Sequence, residues 1–485
     1  MNERWETVIG VEIHAELLTK TKAFCGCANV FGAPPNTAVC PVCLGLPGAL
    51  PVLNHEAVRL AIRAGLALGC DIHAESRFDR KNYFYPDLPK GYQITQFYHP
   101  LCTGGSLEIE TARGPKTIGI TRIHMEEDAG KLIREADGTL KMDFNRCGIP
   151  LIEIVSEPEL RDAEEASAFF RALRSVLMCA GVTDGEMALG SMRCDVNLSL
   201  HQPGAPLGTR TEIKNLNSFQ SIENAIRSEE KRQAALLEKG ISIRQETLRY
   251  DAATGCVESM RRKENAADYR YFPEPDLPPL RLDPVELQEL RENMPLMPKQ
   301  RKQALSAQWG LNDYTAGLIG EDRKLADYFE EVAAACQEPT AAAKLLLGEV
   351  AAQMTLMGKS GVPPIPAGSL AAVADLLSQG LINKGVADTL IRALFENPAV
   401  QPQSWAREQG LLKLTNREEL RAVVLQVLQD NPDMVRRYLG GKVNIARALM
   451  GKCMAATRGR GDATVLETLL MEMLAKAEET TLSEK

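Results

Sequence analysis

The sequence predicts an α+β protein: a largely antiparallel sheet over residues 1–284, a helical region over 285–400 and a helical tail over 401–485. Three observations carry that expectation. Runs of alternating polar and apolar residues recur six times before residue 220, the period-two signature of half-buried strands. After residue 285 alanine and leucine dominate, and charged residues recur at helical spacing. Pro273, Pro275, Pro278, Pro279 and Pro284 crowd the boundary between the two regimes.

Residues 8–17 open the chain as a strand, with Val11, Ile13, Ala15 and Leu17 on one side and Glu12, His14 and Glu16 on the other. Cys25-x-Cys27 and Cys40-x-x-Cys43 follow. Two close thiol pairs can close a tetrahedral zinc site, and four protein ligands leave no open position for catalysis; free thiols and a disulfide are the alternatives. Residues 54–68 read as a packing helix. In residues 82–96 Tyr83, Phe84, Tyr85 and Tyr92 surround Lys90, which suits either a stacked base of an RNA end or a loop pinned by its rings.

Residues 118–128 put Arg122, His124, Glu126 and Asp128 on one face, and the adjacent acids Glu126, Glu127 and Asp128 require a cation among them. Residues 140–145 and 150–155 read as two strands around Gly148 and Pro150. Glu153 is a carboxylate in an apolar run, and an ion pair with Arg146 is the plain structural reading of it. Asp162 caps a helix reaching Ala180, residues 192–200 alternate with Arg193, Asp195, Asn197 and Ser199 on one face, and residues 209–217 group Arg210, Glu212 and Lys214. Ser218 then caps another helix. Residues 261–276 mix Arg261, Arg262, Lys263 and Arg270 with Glu264, Asp268, Glu274 and Asp276, a phosphate clamp or a solvated loop.

A solvated face of an antiparallel sheet needs no ligand. This face repeats Glu, Asp, Asn, His and Arg rather than Thr, Lys and Gln, the combination that magnesium and transferring phosphates require. A catalytic cradle is therefore expected.

The 485 residues allow roughly three domains of about 150 residues each. With 45% hydrophobic and 25% charged residues the composition is that of an ordinary globular chain. The net charge of −8 excludes a chain coated in nucleic acid but permits a local basic patch. No apolar run of about 18 residues and no targeting segment is present, so a cytoplasmic protein without membrane contact is expected. In the tail, Arg436, Arg437, Lys442, Arg447, Lys452, Arg458 and Arg460 fall between residues 435 and 461 with no acid among them. Helices are expected at 326–357, 369–377 and 464–475. Such a basic cluster points to RNA.

The motifs together resemble the B subunit of the aspartyl/glutamyl-tRNA(Asn/Gln) amidotransferase family, nearly end to end. The most specific match is DFNRCGIPLIE at residues 143–153; VIGVEIHAEL, YPDLPKGYQITQ, HMEEDAGK, MRCDVNLSL, TEIKNLNSF and DYRYFPEPDLPP occur in family order. The resemblance implies a catalytic cradle similar to that of glutamine synthetase, followed by a helical domain and a tRNA-contacting tail. It implies ATP and magnesium as cofactors for phosphorylating the side-chain carboxylate of a misacylated tRNA, and zinc at Cys25, Cys27, Cys40 and Cys43. It also implies two partners: an A subunit, the amidase that supplies ammonia, and a small C subunit.

By position in the motifs, Glu12, His14, Glu126, Glu127 and Glu212 are the magnesium candidates. Lys90, Arg146, Arg193 and Lys214 are the phosphate-neutralising candidates, with Glu153 in the catalytic set. Arg436, Arg437, Lys442, Arg447, Lys452 and Arg458 are the tRNA candidates. Two rivals stand beside this reading: a non-catalytic, zinc-braced RNA-binding scaffold, and a zinc hydrolase, which four cysteine ligands disfavour.

Overall fold

The computed structural model describes residues 4–135, 137–262, 266–359, 361–414, 416–457 and 459–483. Lys263, Glu264 and Arg458, three residues singled out in the sequence, lie outside them. The chain forms two compact units that divide between Gln300 and Arg301.

The first unit is α+β. Its main sheet contains β1 (Glu6–Glu16), β2 (Gly114–Glu127), β3 (Pro150–Ser156), β4 (Met192–His201), β5 (Thr211–Leu216), β6 (Glu246–Asp251) and β7 (Cys256–Arg262). They run in the order β7-β6-β5-β4-β1-β3-β2, continued by the short strands Cys102–Thr103 and Asp71–Ile72, with Ser106–Thr111 also paired to β2. The sheet is mixed. β5 and β6 run parallel, because the helix Phe219–Glu238 carries the chain between them as a crossover.

Alternation in the central strands sends one set of side chains into a single apolar core. Ile9, Ile13, Ile123, Ile152, Ile154 and Val196 from the strands meet Phe169, Phe170 and Leu173 of the helix Ala163–Cys179 and Ile222 and Ile226 of the helix Phe219–Glu238. Asp162 and Ser218 cap their helices through their side chains, as the sequence predicts, and Asn54 does the same for the helix His55–Ala67. Helix Pro284–Glu292 buries Leu290 in this same core.

The strand expected at residues 140–145 is not part of the main sheet. Leu140–Asp143 pairs with Lys131–Arg134 in a hairpin of its own, and Phe144–Arg146 forms a 3₁₀ turn capped by Asp143. Local closure at Gly138, whose φ is 85°, decides the partner. The segment expected to be a clamp or loop from residue 261 instead begins inside β7.

The second unit is helical throughout its described elements. The helix expected over 326–357 is broken: Arg323–Ala335 ends before Pro339, which opens Pro339–Leu345, and a π-helical turn at Leu346–Val350 leads into Ala351–Leu356. One core centres on Phe329, Val332, Leu370, Leu390 and Leu394, and a second on Leu420, Val424, Leu449, Leu466 and Leu470. The last helix runs from Ala463 to Ser483. Among the described residues no helix is long and apolar enough to cross a membrane.

Candidate active site on the polar face of the sheet

Strand register assembles the site. On β1, His14 lies opposite Glu153 of β3 and Arg193 of β4, while Glu12 lies opposite Asp195. Glu153 lies opposite His124 of β2, and Asn197 opposite Glu212 of β5. Residues opposite one another on paired strands share a face, so five strands bring these groups together.

The result is two adjoining sets of donors. His14, Glu126 and Glu153 form one, and Glu12, Asp195 and Glu212 the other; within each set the ligand atoms lie within 4.8 Å of one another. His14 Nε2 is 3.3 Å from Glu153 Oε2 and 3.4 Å from Glu126 Oε1. In the second set Asn197 Nδ2 donates to Glu12 at 2.9 Å, Lys214 Nζ to Asp195 at 2.9 Å, and the Thr247 hydroxyl to Glu212 at 3.1 Å. Hard oxygen donors gathered around so little positive charge have the chemistry of a divalent-cation site. The buried Nδ1 of His124 and Oδ1 of Asn197, both without a hydrogen-bond partner among the described residues, add to the polar groups turned into this face.

Crowding polarises the titrations. Burial, with Glu153, raises the pKa of Glu126, and burial with Glu153 and Glu212 raises that of Glu12. Burial opposes the charge of His14, but the hydrogen bond and field of Glu153, aided by Glu126 and Asp195, lift its pKa to about 9. His124, dominated by burial, drops to about 4. Burial also opposes ionisation of Glu153, yet the two histidines hold its carboxyl well below the usual range. Burial and Asp128 push Glu16 up to about 7.

The structure divides the expected site residues. Glu12, His14, Glu126, Glu153 and Glu212 come together, with Lys214 beside Asp195. Glu127 does not join them. As the neighbour of Glu126 on a strand it points the other way, where the Lys90 ammonium and the Ile94 N–H bind its carboxylate. Lys90 is thereby occupied on the opposite side of β2. Arg146 pairs with Asp128 at 3.3 Å and donates to the carbonyls of Ala129 and Gly130, so the ion pair with Glu153 does not form. Arg193 meets the same Asp128 at 2.9 Å.

Two participants lie outside the set that the sequence motifs nominate. Asp195 is nonetheless signalled by its place on the alternating face of β4. Lys81, whose positive charge favours the ionised forms of Glu126 and Glu153, carries no such signal; it lies on the four-residue strand Asp79–Asn82, in a separate sheet with Tyr92–Thr95 and Phe272–Pro273.

Cys25, Cys27, Cys40 and Cys43 converge. Cys43 Sγ is 3.4 Å from Cys25 Sγ, 3.7 Å from Cys40 Sγ and 3.8 Å from Cys27 Sγ. A tetrahedron of thiolates bonded at about 2.3 Å to zinc has edges of about 3.8 Å, so the set fits such an ion. A hydrogen bond from Cys25, with Lys22 Nζ at 3.5 Å, lowers the Cys43 pKa to about 4 despite its burial.

In the second unit Arg436, Arg437, Lys442, Arg447 and Lys452 are all exposed, on or beside the helices Pro432–Leu439 and Ile445–Ala456. Arg460 is half-buried and donates to the Gly410 carbonyl at 2.8 Å.

A polar sheet face that gathers two sets of carboxylates with the donor chemistry of a cation site, joined in one chain to a helical unit with an exposed basic surface, is the arrangement of an enzyme subunit of the RNA-handling kind. Residues 7–288 match the family described as the GatB/GatE catalytic domain, and residues 327–474 match that described as the GatB domain. The aspartyl/glutamyl-tRNA(Asn/Gln) amidotransferase B subunit of Thermoanaerobacter sp. (strain X514) is 45% identical over 476 residues, covering 98% of this chain and 100% of the relative. The protein of the same name from Nitratidesulfovibrio vulgaris (strain DP4) is 43% identical over 473 residues, covering 97% and 99%. The chain belongs to the family of aspartyl/glutamyl-tRNA(Asn/Gln) amidotransferase B subunits.

Proposed function

We propose that the polar face is where this chain activates a misacylated tRNA with ATP. A side-chain carboxylate oxygen of glutamyl- or aspartyl-tRNA attacks the γ-phosphorus, and the bond to the ADP oxygen breaks. Ammonia then adds to the side-chain carbonyl carbon of the resulting acyl phosphate, loses a proton and expels phosphate, leaving the side-chain amide. The observation that carries this reading is the pair of adjoining donor sets, His14/Glu126/Glu153 and Glu12/Asp195/Glu212. They would hold magnesium, which supplies charge neutralisation to the phosphates. Lys214 and Arg193 border these sets as the chain's own cations.

The cradle is read as one of the glutamine synthetase kind, on the strength of its antiparallel central strands with inward carboxylates. The cysteine set is read as a structural zinc site. Residues 401–485 are assigned to tRNA contact through Arg436, Arg437, Lys442, Arg447 and Lys452. The family name describes one subunit of an amidotransferase. We assign it two partners, an A subunit that is the amidase and a small C subunit, in the cytoplasm where aminoacyl-tRNA is used.

Phosphate release from ATP by the complex with its amidase, with and without glutamyl-tRNA, tests the reading. Release is expected to depend on charged tRNA and to fall by at least about 10²-fold in Glu126→Ala. Release that persists in the variant moves the chemistry off this sheet and leaves the chain as a scaffold.

A further inference from the structure

Beside the first donor set stands a lysine with no anion of its own. Among the described residues the Lys81 ammonium has neither a hydrogen bond nor an ion pair; its neighbours are the rings of Tyr269 at 5.0 Å and Tyr83 at 6.0 Å. A half-buried ammonium supported only by ring faces lacks acceptors for its N–H donors. Burial works against its charge, but Tyr271, Glu126, Glu153 and Tyr83 more than restore it, so it stays cationic. Those carboxylates belong to the His14 set.

The rings continue in both directions. Tyr85 touches Tyr83 (6.2 Å between centroids), Tyr83 touches Tyr269 (6.1 Å) and Tyr269 touches Tyr271 (5.9 Å). Tyr271 stacks on Phe97 at 4.0 Å and 11°, and Phe97 meets Tyr98 at 5.0 Å. Both ends reach solvent, with Tyr85 44% and Tyr98 58% exposed. Arg270, between the two inner tyrosines, sits at φ 45°, and the Asn82 amide donates to its carbonyl at 2.8 Å. Strain of this kind persists where the surroundings over-determine it, and it collects at ligand sites.

We propose that Lys81 binds the side-chain carboxylate of the aminoacyl group, with the aromatic belt receiving the RNA end that bears it. Stacked rings accept nucleotide bases without reading their edges. The cation beyond them meets the one anionic feature that separates the substrate from its amidated product. Tyr269 and Tyr271 act as positioning residues.

This inference rests on the tRNA-dependent reading above, and the test separates the two. Affinities of the full complex for glutamyl-tRNA and glutaminyl-tRNA are compared for wild type, Lys81→Met and Lys81→Arg, alongside ATP affinity and phosphate release. Wild type is expected to favour the glutamyl form about tenfold, Lys81→Met to bind both alike with ATP affinity unchanged, and Lys81→Arg to recover part of the preference. A purely structural lysine lowers both affinities together. Preference retained in Lys81→Met, absent in wild type, or replaced by a loss of ATP affinity overturns the inference alone. Wild type without tRNA-dependent phosphate release overturns the reaction reading and the inference with it.

Discussion

His14 Nε2 stands 3.3 Å from Glu153 Oε2 across the β1–β3 pair, and this contact sets the resting charge of the site. With metal chelated, the folded chain holds the His14 proton up to about pH 9, whereas an unfolded imidazole releases it near the reference value of 6.5. A raised folded pKa stabilises fully below about pH 6.5, and that stability is lost as pH rises through about 9, up to ~3 kcal/mol by linkage. Urea unfolding in chelator at pH 6 and pH 9.5 measures it. The stability difference between wild type and His14→Gln should shrink over that interval; parallel curves would remove the assignment.

Asp195 and Glu127 exchange the roles that sequence position alone gives them. Asp195 is grouped with Glu12 and Glu212, and Glu127 is held by Lys90 on the opposite side of the sheet. Asp195→Asn should raise the magnesium concentration for half-maximal phosphate release by about 10-fold or more. Lys90→Met should leave that concentration alone and instead cost roughly 3 kcal/mol of stability, because Glu127, 3% exposed, loses its cation. A magnesium titration and a denaturation curve on each variant distinguish the two positions.

The cysteine set offers a metal-removal test. Purified chain should contain about one zinc ion, and Cys43→Ser should lose it together with roughly 3 kcal/mol or more of stability. Elemental analysis beside thermal unfolding reads both quantities. Zinc-free wild type of undiminished stability would reduce the four thiols to a packing cluster.

Much of this was legible because strands announce themselves by a period of two. Glu12, His14, Arg193 and Asp195 share a face by alternation alone, and the same rule separates Glu126 from Glu127, a signal present in the sequence but outweighed by their adjacency in one acidic motif. What the period cannot supply is the partner of a strand. Leu140–Asp143 alternates well yet folds onto Lys131–Arg134, and the parallel β5–β6 pair depends on a twenty-residue crossover helix. Lys81 was beyond reach for a further reason: its strand has four residues, and the nearer of its two rings comes from Tyr269, nearly 190 positions away.

The tail makes the last prediction. Arg436, Arg437, Lys442, Arg447 and Lys452 are exposed, whereas Arg460 spends its guanidinium on the Gly410 carbonyl. Phosphate contacts release counterions, so each lysine or arginine that touches RNA should contribute up to about one unit to the slope of log affinity against log salt. Replacing Arg437, Lys442 and Arg447 together by glutamine should flatten that slope by about 2 to 3 and weaken tRNA binding without altering the ratio of glutamyl- to glutaminyl-tRNA affinity. Arg460→Gln should instead lower the melting temperature and leave the slope in place, because its contacts lie within the fold. A slope unmoved by the triple substitution would take tRNA contact away from this surface.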